Sequence, residues 1–170
     1  MLKVLAANMS RVFWRFGRAA SSPCLRDNAR TMPEEPTTPD LAVRAQRLAD
    51  AFNAGDIDAV VGFYAPHAVI EMIEVFGTWE GRAAIRAFFE DWLSAFDEVR
   101  VENEAIHYLG AGVIFGVIVQ HGRPRDNPRW VQLRSGYVST AVDGLTERAK
   151  FYLDIDEARA AAERLAEERG

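Results

Sequence analysis

The sequence predicts an α+β domain, with helices gathered on one face of a sheet. Three observations carry this. Apolar residues at helical spacing occupy residues 41–64 and 85–96. Alternating or continuously apolar segments then dominate residues 99–153. Turn residues separate the segments, first at Asn53-Ala54-Gly55-Asp56 and last at Asp143-Gly144. Helices followed by strands segregate into layers around one core. A sheet that curls around its helices leaves a cavity, so a small-molecule pocket is the leading expectation.

Each element has its own local reason. Thr38-Pro39 supplies a capping hydroxyl and then a proline at the first helical position, where the missing N–H costs nothing. Leu41, Ala45, Leu48 and Phe52 follow at helical spacing. Gly55 suits the left-handed position that ends a helix. Asp56 caps a second, short helix, whose Ile57, Val60, Val61 and Tyr64 run apolar until Pro66 stops it. Residues 69–75 are β-branched and read as a strand. Gly77 and Gly81 flank an extended piece around Trp79. Ile85, Phe88, Phe89, Trp92 and Phe96 make a wide aromatic stripe on a third helix. Residues 99–109 begin with clear alternation, and residues 113–119 are almost continuously apolar, as in a strand buried on both faces. Gly110-Ala111-Gly112 is a turn signal and residues 122–128 are a polar loop. Residues 130–142 and 147–153 are strands joined by Asp143-Gly144, a strong hairpin turn. Asp154 and Glu157 form a capping-box pair for a last, alanine-rich helix whose thin apolar face predicts peripheral packing.

Composition sets further bounds. The chain has 170 residues, 49% hydrophobic and 26% charged, which fits one domain with appendages and argues against disorder. The charge is unevenly placed. Residues 1–31 hold six bases and one acid; the whole chain is −5, so residues 32–170 carry −10. Such an acidic domain is repelled by phosphate backbones, so no nucleic-acid partner is expected. Cys24 is alone, which excludes a disulfide framework and a cysteine-based zinc site. His67, His107 and His121 lack the spacing of a helical zinc motif, so neither a metal nor a cofactor is expected. No apolar run approaches the roughly 20 residues that span a bilayer, so no membrane partner is expected.

The domain is placed at residues 38–157, with residues 1–37 as an extension and residues 158–170 as a C-terminal helix. Residues 1–31 are basic and contain three serines, which suits a non-functional extension, a transit peptide or a membrane-surface helix. Arg11, Arg15 and Arg18 interrupt any apolar core of a bacterial signal peptide, and the chain is expected in the cytoplasm.

Four sequence pieces, in this order and spacing, resemble the SnoaL-like branch of the nuclear transport factor 2 superfamily. They are Phe52-Asn53-Ala54-Gly55-Asp56, Phe63-Tyr64-Ala65-Pro66, Trp79-Glu80-Gly81-Arg82-Ala83-Ala84-Ile85, and Asp143-Gly144 followed by Arg148, Tyr152 and Asp154. The resemblance implies an NTF2-like cone, in which a curved antiparallel sheet wraps around three N-terminal helices, with the extra C-terminal helix outside that plan. It also implies a homodimer, with a pocket between the helices and the concave sheet. Members include isomerases, cyclases, dehydratases, epoxide hydrolases and non-catalytic modules, so the fold leaves activity open. The enzymes commonly place an aspartate on a pocket-facing strand. Here Val117-Ile118-Val119-Gln120-His121 has no carboxylate, Phe151 occupies the middle of the last strand, and His67 stands where relatives often have Asp.

Strand parity nominates candidates independently. If Val99, Val101 and Ala105 point inward, Asn103 and His107 share their face, unless a bulge breaks the parity. Histidine is the usual general base at neutral pH, which nominates His107 for that role. Glu71 shares parity with Val69, Ile73 and Val75, so it either sits desolvated as an acid or base or faces water on an edge. Arg134 shares a face with Gln132, Gly136 and Val138, and either binds a ligand oxygen or forms a structural ion pair. Tyr64 and Trp92 suit a pocket wall, with Asn103 and Gln120 as polar contacts. The expected function is a pocket for a small, largely apolar molecule. It runs cofactor-independent acid–base chemistry through His107 or Glu71, with Arg134, Gln120 or Tyr64 holding the oxygen, or it serves as a non-catalytic dimerisation or sensing module.

Because residues 1–37 are basic and precede a well-capped helix, they are expected to be dispensable. A chain starting at Met32 should melt at the same temperature as the full chain; a loss of more than a few degrees would mean that the extension packs on the domain.

Overall fold

The computed structural model describes residues 38–72 and 77–170. The basic leader, Cys24 and residues 73–75 of the expected strand lie outside the described residues. The order is α1 (Thr38–Asn53), α2 (Ile57–Gly62), β1 (Tyr64–Met72), β2 (Gly77–Glu80), α3 (Gly81–Ser94), β3 (Phe96–Gly110), β4 (Val113–Pro124), β5 (Val131–Val142), β6 (Leu145–Tyr152) and α4 (Ile155–Arg169). The six strands form one sheet in the order β2-β1-β6-β5-β4-β3. Its pairs are antiparallel except β1 with β6, which run parallel where the chain returns to the middle of the sheet.

The turns follow the local chemistry. Gly55 lies at φ +69° and ends the first helical segment, and the Asp56 carboxylate then accepts the Ala59 N–H at 2.9 Å. Asp143 and Gly144 both have positive φ, the conformation a two-residue hairpin requires. Asp154 accepts the N–H groups of Asp156 and Glu157 at 2.9 and 3.0 Å and starts α4. Two of the motif residues acquire a structural reason. Gly81, at φ +79°, turns β2 into α3, and the Arg82 Nε donates to the Tyr64 carbonyl at 2.7 Å.

One boundary differs from the sequence reading. The second helix ends at Gly62, and Tyr64 already belongs to β1. Pro66 sits inside that strand rather than at a helix end. It is tolerated because β1 is irregular there: Tyr64 pairs with Thr146 and Val69 with Arg148, and β2 joins only from Val69 onward. A residue without an N–H fits where neither neighbour needs one.

Two apolar clusters cover the two faces of the sheet. On the concave face, Phe52 of α1, Val60 of α2 and Ile85, Phe88 and Trp92 of α3 pack on Tyr64, Ala68 and Ile70 of β1. Aromatic rings interlock there, Phe52 with Trp92 at 5.3 Å and Trp92 with Phe96 at 5.2 Å between centroids. On the outer face, Val113, Phe115 and Val117 of β4 and Val138 of β5 pack against Ala158 and Ala162 of α4. The last helix is therefore a cover for half of the sheet, not a peripheral appendage. Its small residues let it approach closely: a Cβ added to Gly136 would lie 2.6 Å from that of Ala158.

This helix covers apolar positions of β4 and β5. Val113, Phe115, Val117 and Val138 lie under it, whereas Trp130 and Val142 are exposed. The neighbouring outer surface carries ion pairs instead, Arg134 with Glu104 and Arg148 with Glu71. No helix among the described residues is long and apolar enough to cross a membrane.

The edge strand β3 is tied to α1 by two asparagines. The Asn53 amide donates to the Val101 carbonyl at 2.9 Å and accepts the Val101 N–H at 2.7 Å, replacing one strand neighbour. Asn103 donates to the Ala45 carbonyl at 3.0 Å. Removing the Asn53 pair should cost about 1 kcal/mol, the low end for two bonds at an exposed site. Urea denaturation of Asn53→Ala should show this loss, with faster hydrogen exchange at the Val101 amide.

Candidate functional site

The helices do not fill the concave face completely. Between α1, α3 and the sheet lies a cavity of about 130 Å³. Its walls are apolar. Leu48 and Phe52 of α1, Phe89 and Trp92 of α3, Ile114 and Ile118 of β4 and Phe151 of β6 are among them. Polar groups interrupt these walls at a few points: Arg44, Tyr64, Asn103, Gln120, Tyr137, Ser139 and Thr146. An apolar chamber with a few polar groups is the usual form of a small-molecule site.

Four of the residues nominated from the sequence line this cavity: Tyr64, Trp92, Asn103 and Gln120. Three do not. In β3, Asn103 pairs with Ile118 but Ala105 with Val117, so one extra residue is inserted at Glu104. This bulge reverses the parity beyond it. Ile106 enters the cavity, while His107 turns to the outer face, where it is exposed and its ring stacks on Phe115 at 5.8 Å. Glu71 also faces outward, because Ile70 and Met72 take the inward positions; it meets Arg148 at 3.3 Å and Lys150 at 3.7 Å. Arg134 is held on the outer face by both carboxylate oxygens of Glu104, each at 2.5 Å. That bond holds the Glu104 carboxyl below its ordinary range, with the Arg134 charge adding to it.

Four polar groups of the cavity escaped the sequence reading, Arg44, Tyr137, Ser139 and Thr146, and the first two carry the most chemistry. Arg44 lies within the helical stripe of Leu41, Ala45, Leu48 and Phe52, and a charge inside an apolar face was the available signal. Its Nη2 donates to the Phe63 carbonyl at 3.0 Å and reaches the Thr146 Oγ1 at 3.3 Å. The guanidinium carbon lies 5.7 Å from the Phe63 ring centre. Burial pulls its pKa below the usual arginine value, and the two tyrosines oppose that shift. Tyr137 is the second. It stands opposite Gly116 in the β4–β5 ladder, and a Cβ on that glycine would lie 2.3 Å from its ring. The glycine gives the ring room to lie across β4, and a glycine facing an aromatic was the signal here.

The chemistry open to this arrangement is that of donors. Burial keeps the Tyr64 hydroxyl protonated well above its ordinary range and pushes Tyr137 up to about 12. Arg44, Tyr64 and Tyr137 can therefore donate to an oxygen at neutral pH. No aspartate, glutamate or histidine lines the cavity among the described residues, so its wall offers no ionisable side chain that accepts a proton near neutrality.

Comparisons with known proteins agree with this architecture. The SnoaL-like domain family matches residues 45–148, more than half of the chain. Among solved structures, an NTF2-like protein of unknown function from Burkholderia pseudomallei superposes with a TM-score of 0.60 at 16% identity, covering 71% of this chain and 95% of that one. A protein of ketosteroid isomerase-like fold from Catenulispora acidiphila, in complex with trimethylamine, gives a TM-score of 0.62 at 14% identity, covering 74% and 94%. A Mycobacterium tuberculosis protein in complex with estradiol-17beta-hemisuccinate gives 0.57 at 20% identity, covering 68% and 94%. These likenesses show the fold. A comparison with curated proteins finds none that matches the chain.

The two buried tyrosines make the cavity testable by pH. Their folded pKa values lie above the unfolded value of about 10. The stability they contribute is therefore complete below pH 10 and falls as pH rises toward about 12 for Tyr137, with Tyr64 acting in the same direction. Absorbance titration at alkaline pH should show these two phenols ionising only as the protein unfolds. Ionisation of all four tyrosines in the folded state would show the cavity floor to be wet.

Proposed function

The chain belongs to the SnoaL-like domain family, and from that premise we propose that its cavity binds and retains a small, largely apolar molecule without acid–base catalysis. One observation carries the reading: the cavity wall is aromatic and aliphatic, its polar groups are donors or amides, and no carboxylate or imidazole lines it among the described residues. The expected proton movers, His107 and Glu71, sit on the opposite face of the sheet, which supports binding over chemistry. The complexes of the Catenulispora and Mycobacterium proteins, one with trimethylamine and one with a steroid ester, support a chamber of this fold as a place for small ligands.

The test uses a neutral aromatic probe, 2-naphthalenemethanol, followed by quenching of tryptophan fluorescence. Binding should saturate in the wild type. Ile118→Trp, which fills the cavity from β4, should abolish it with the circular dichroism spectrum unchanged. His107→Ala and Glu71→Gln should bind within about twofold of wild type, as surface substitutions do. Weakening by His107→Ala would return the imidazole to the site and reopen the catalytic reading.

A further inference from the structure

The charge inside the cavity has no counter-charge among the described residues. Among the described residues Arg44 is the one lining residue with a formal charge, and it is half-buried. No carboxylate pairs with it among the described residues. Its two hydrogen bonds go to neutral oxygens, the Phe63 carbonyl and the Thr146 hydroxyl, and both come from Nη2. A guanidinium has five N–H donors. Nε and Nη1 are left without a protein partner among the described residues, yet no buried side-chain nitrogen is stranded without a bond. Those donors therefore remain accessible, on a residue that lines the cavity. A half-buried cation in apolar surroundings is costly unless an anion joins it.

Four arginines elsewhere on the sheet and helices are handled differently. Arg86, Arg123, Arg134 and Arg148 each meet an aspartate or glutamate of this chain. Unlike those four, Arg44 lines a chamber and meets no carboxylate among the described residues. Resting on the pocket reading above, we infer that the ligand is a small apolar monocarboxylate, its carboxylate seated on Arg44 and its body between Phe52, Phe89, Trp92 and Ile118. The planar, delocalised guanidinium matches a carboxylate in shape as well as charge. The buried hydroxyls of Tyr64 and Tyr137 lie within the electrostatic reach of Arg44 and remain donors, so they reinforce an anion rather than compete with it. The acidic character of residues 32–170, net −10, disfavours polyanions such as phosphate esters at the entrance, while a single charge on an apolar body is tolerated.

The experiment compares two molecules of nearly equal shape, 2-naphthoate and 2-naphthalenemethanol, at pH 7 by isothermal titration. The wild type should prefer the carboxylate by about 10- to 100-fold, the range for a hydrogen bond to a charged group. Arg44→Met should collapse this ratio toward one, and Arg44→Lys, which keeps the charge without the plane, should retain part of it. Thermal melts of both variants monitor the loss of the Phe63 and Thr146 bonds; the wild-type ratio stands as a test even if a variant unfolds. Equal affinity for the two molecules would overturn the monocarboxylate while leaving the pocket reading in place. A preference for the alcohol, or a ratio unchanged in a folded Arg44→Met, would also overturn it. Failure of both molecules to bind saturably would remove the pocket reading itself, and this inference with it.

Discussion

The residue inserted at Glu104, the middle one of three register shifts in β3, governs how the long edge strand meets the rest of the molecule. Up to Asn103 the inward side chains run Val99, Val101, Asn103; after Glu104 the sequence resumes with Ile106 inward and Ala105, His107 and Leu109 outward. A bulge bends its strand and increases the local twist. The bend lets β3 curve around α1, and its inward face there supplies Asn103 to the Ala45 carbonyl and Ile106 to the cavity. Beyond the bulge, Ala105 and Leu109 join the cluster beneath α4. One insertion thus serves both layers. It gives the concave side its curvature and the outer side two more apolar contacts.

The molecule divides its charge between the two sides of the sheet. Outside, Arg134, Arg148 and Lys150 meet Glu104 and Glu71, and Arg100 meets Glu102. Exposed pairs of this kind contribute at most about 1 kcal/mol each, so they mainly keep that surface soluble and distinct. Stability comes instead from the two apolar clusters and from the amide pairing of Asn53 with Val101. Inside, the charge is reduced to Arg44, whose tethering to Phe63 and Thr146 holds the start of α1 against the β1 and β6 entrances. The same side chain therefore has a packing task and an accessible face.

The fold was legible because its punctuation is chemical. Asp56, Gly55, Asp143-Gly144 and Asp154 each force a local conformation that few other residues would adopt, and the structure uses all of them. Two features were not legible, and both concern relations between strands. Nothing in the residues around Glu104 announces a bulge, since the alternation of Arg100, Glu102 and Glu104 looks regular up to it. The strand parity that placed His107 beside Asn103 failed at that point. Pro66 misled for the opposite reason: it is a strong helix stop, but here an irregular strand accommodates it. Arg44 and Tyr137 were overlooked because attention went to groups that move protons. Each carried a readable mark, a charge within an apolar stripe and an aromatic opposite Gly116.

The contact of Gly136 with Ala158 joins two small residues from different layers. Between them there is room for one methyl group, and it belongs to the helix. The arrangement is not symmetrical. Alanine is the best helix former, whereas in a strand it has little to recommend it over other residues. Moving the methyl from position 158 to position 136 would keep the volume but place glycine in a helix, at a cost of about 1 kcal/mol. The two positions are thus size-coupled and ordered: neither can grow unless the other shrinks, and backbone preference decides which one carries the carbon. Sequence drift at either position is restrained by the other, although they stand far apart along the chain.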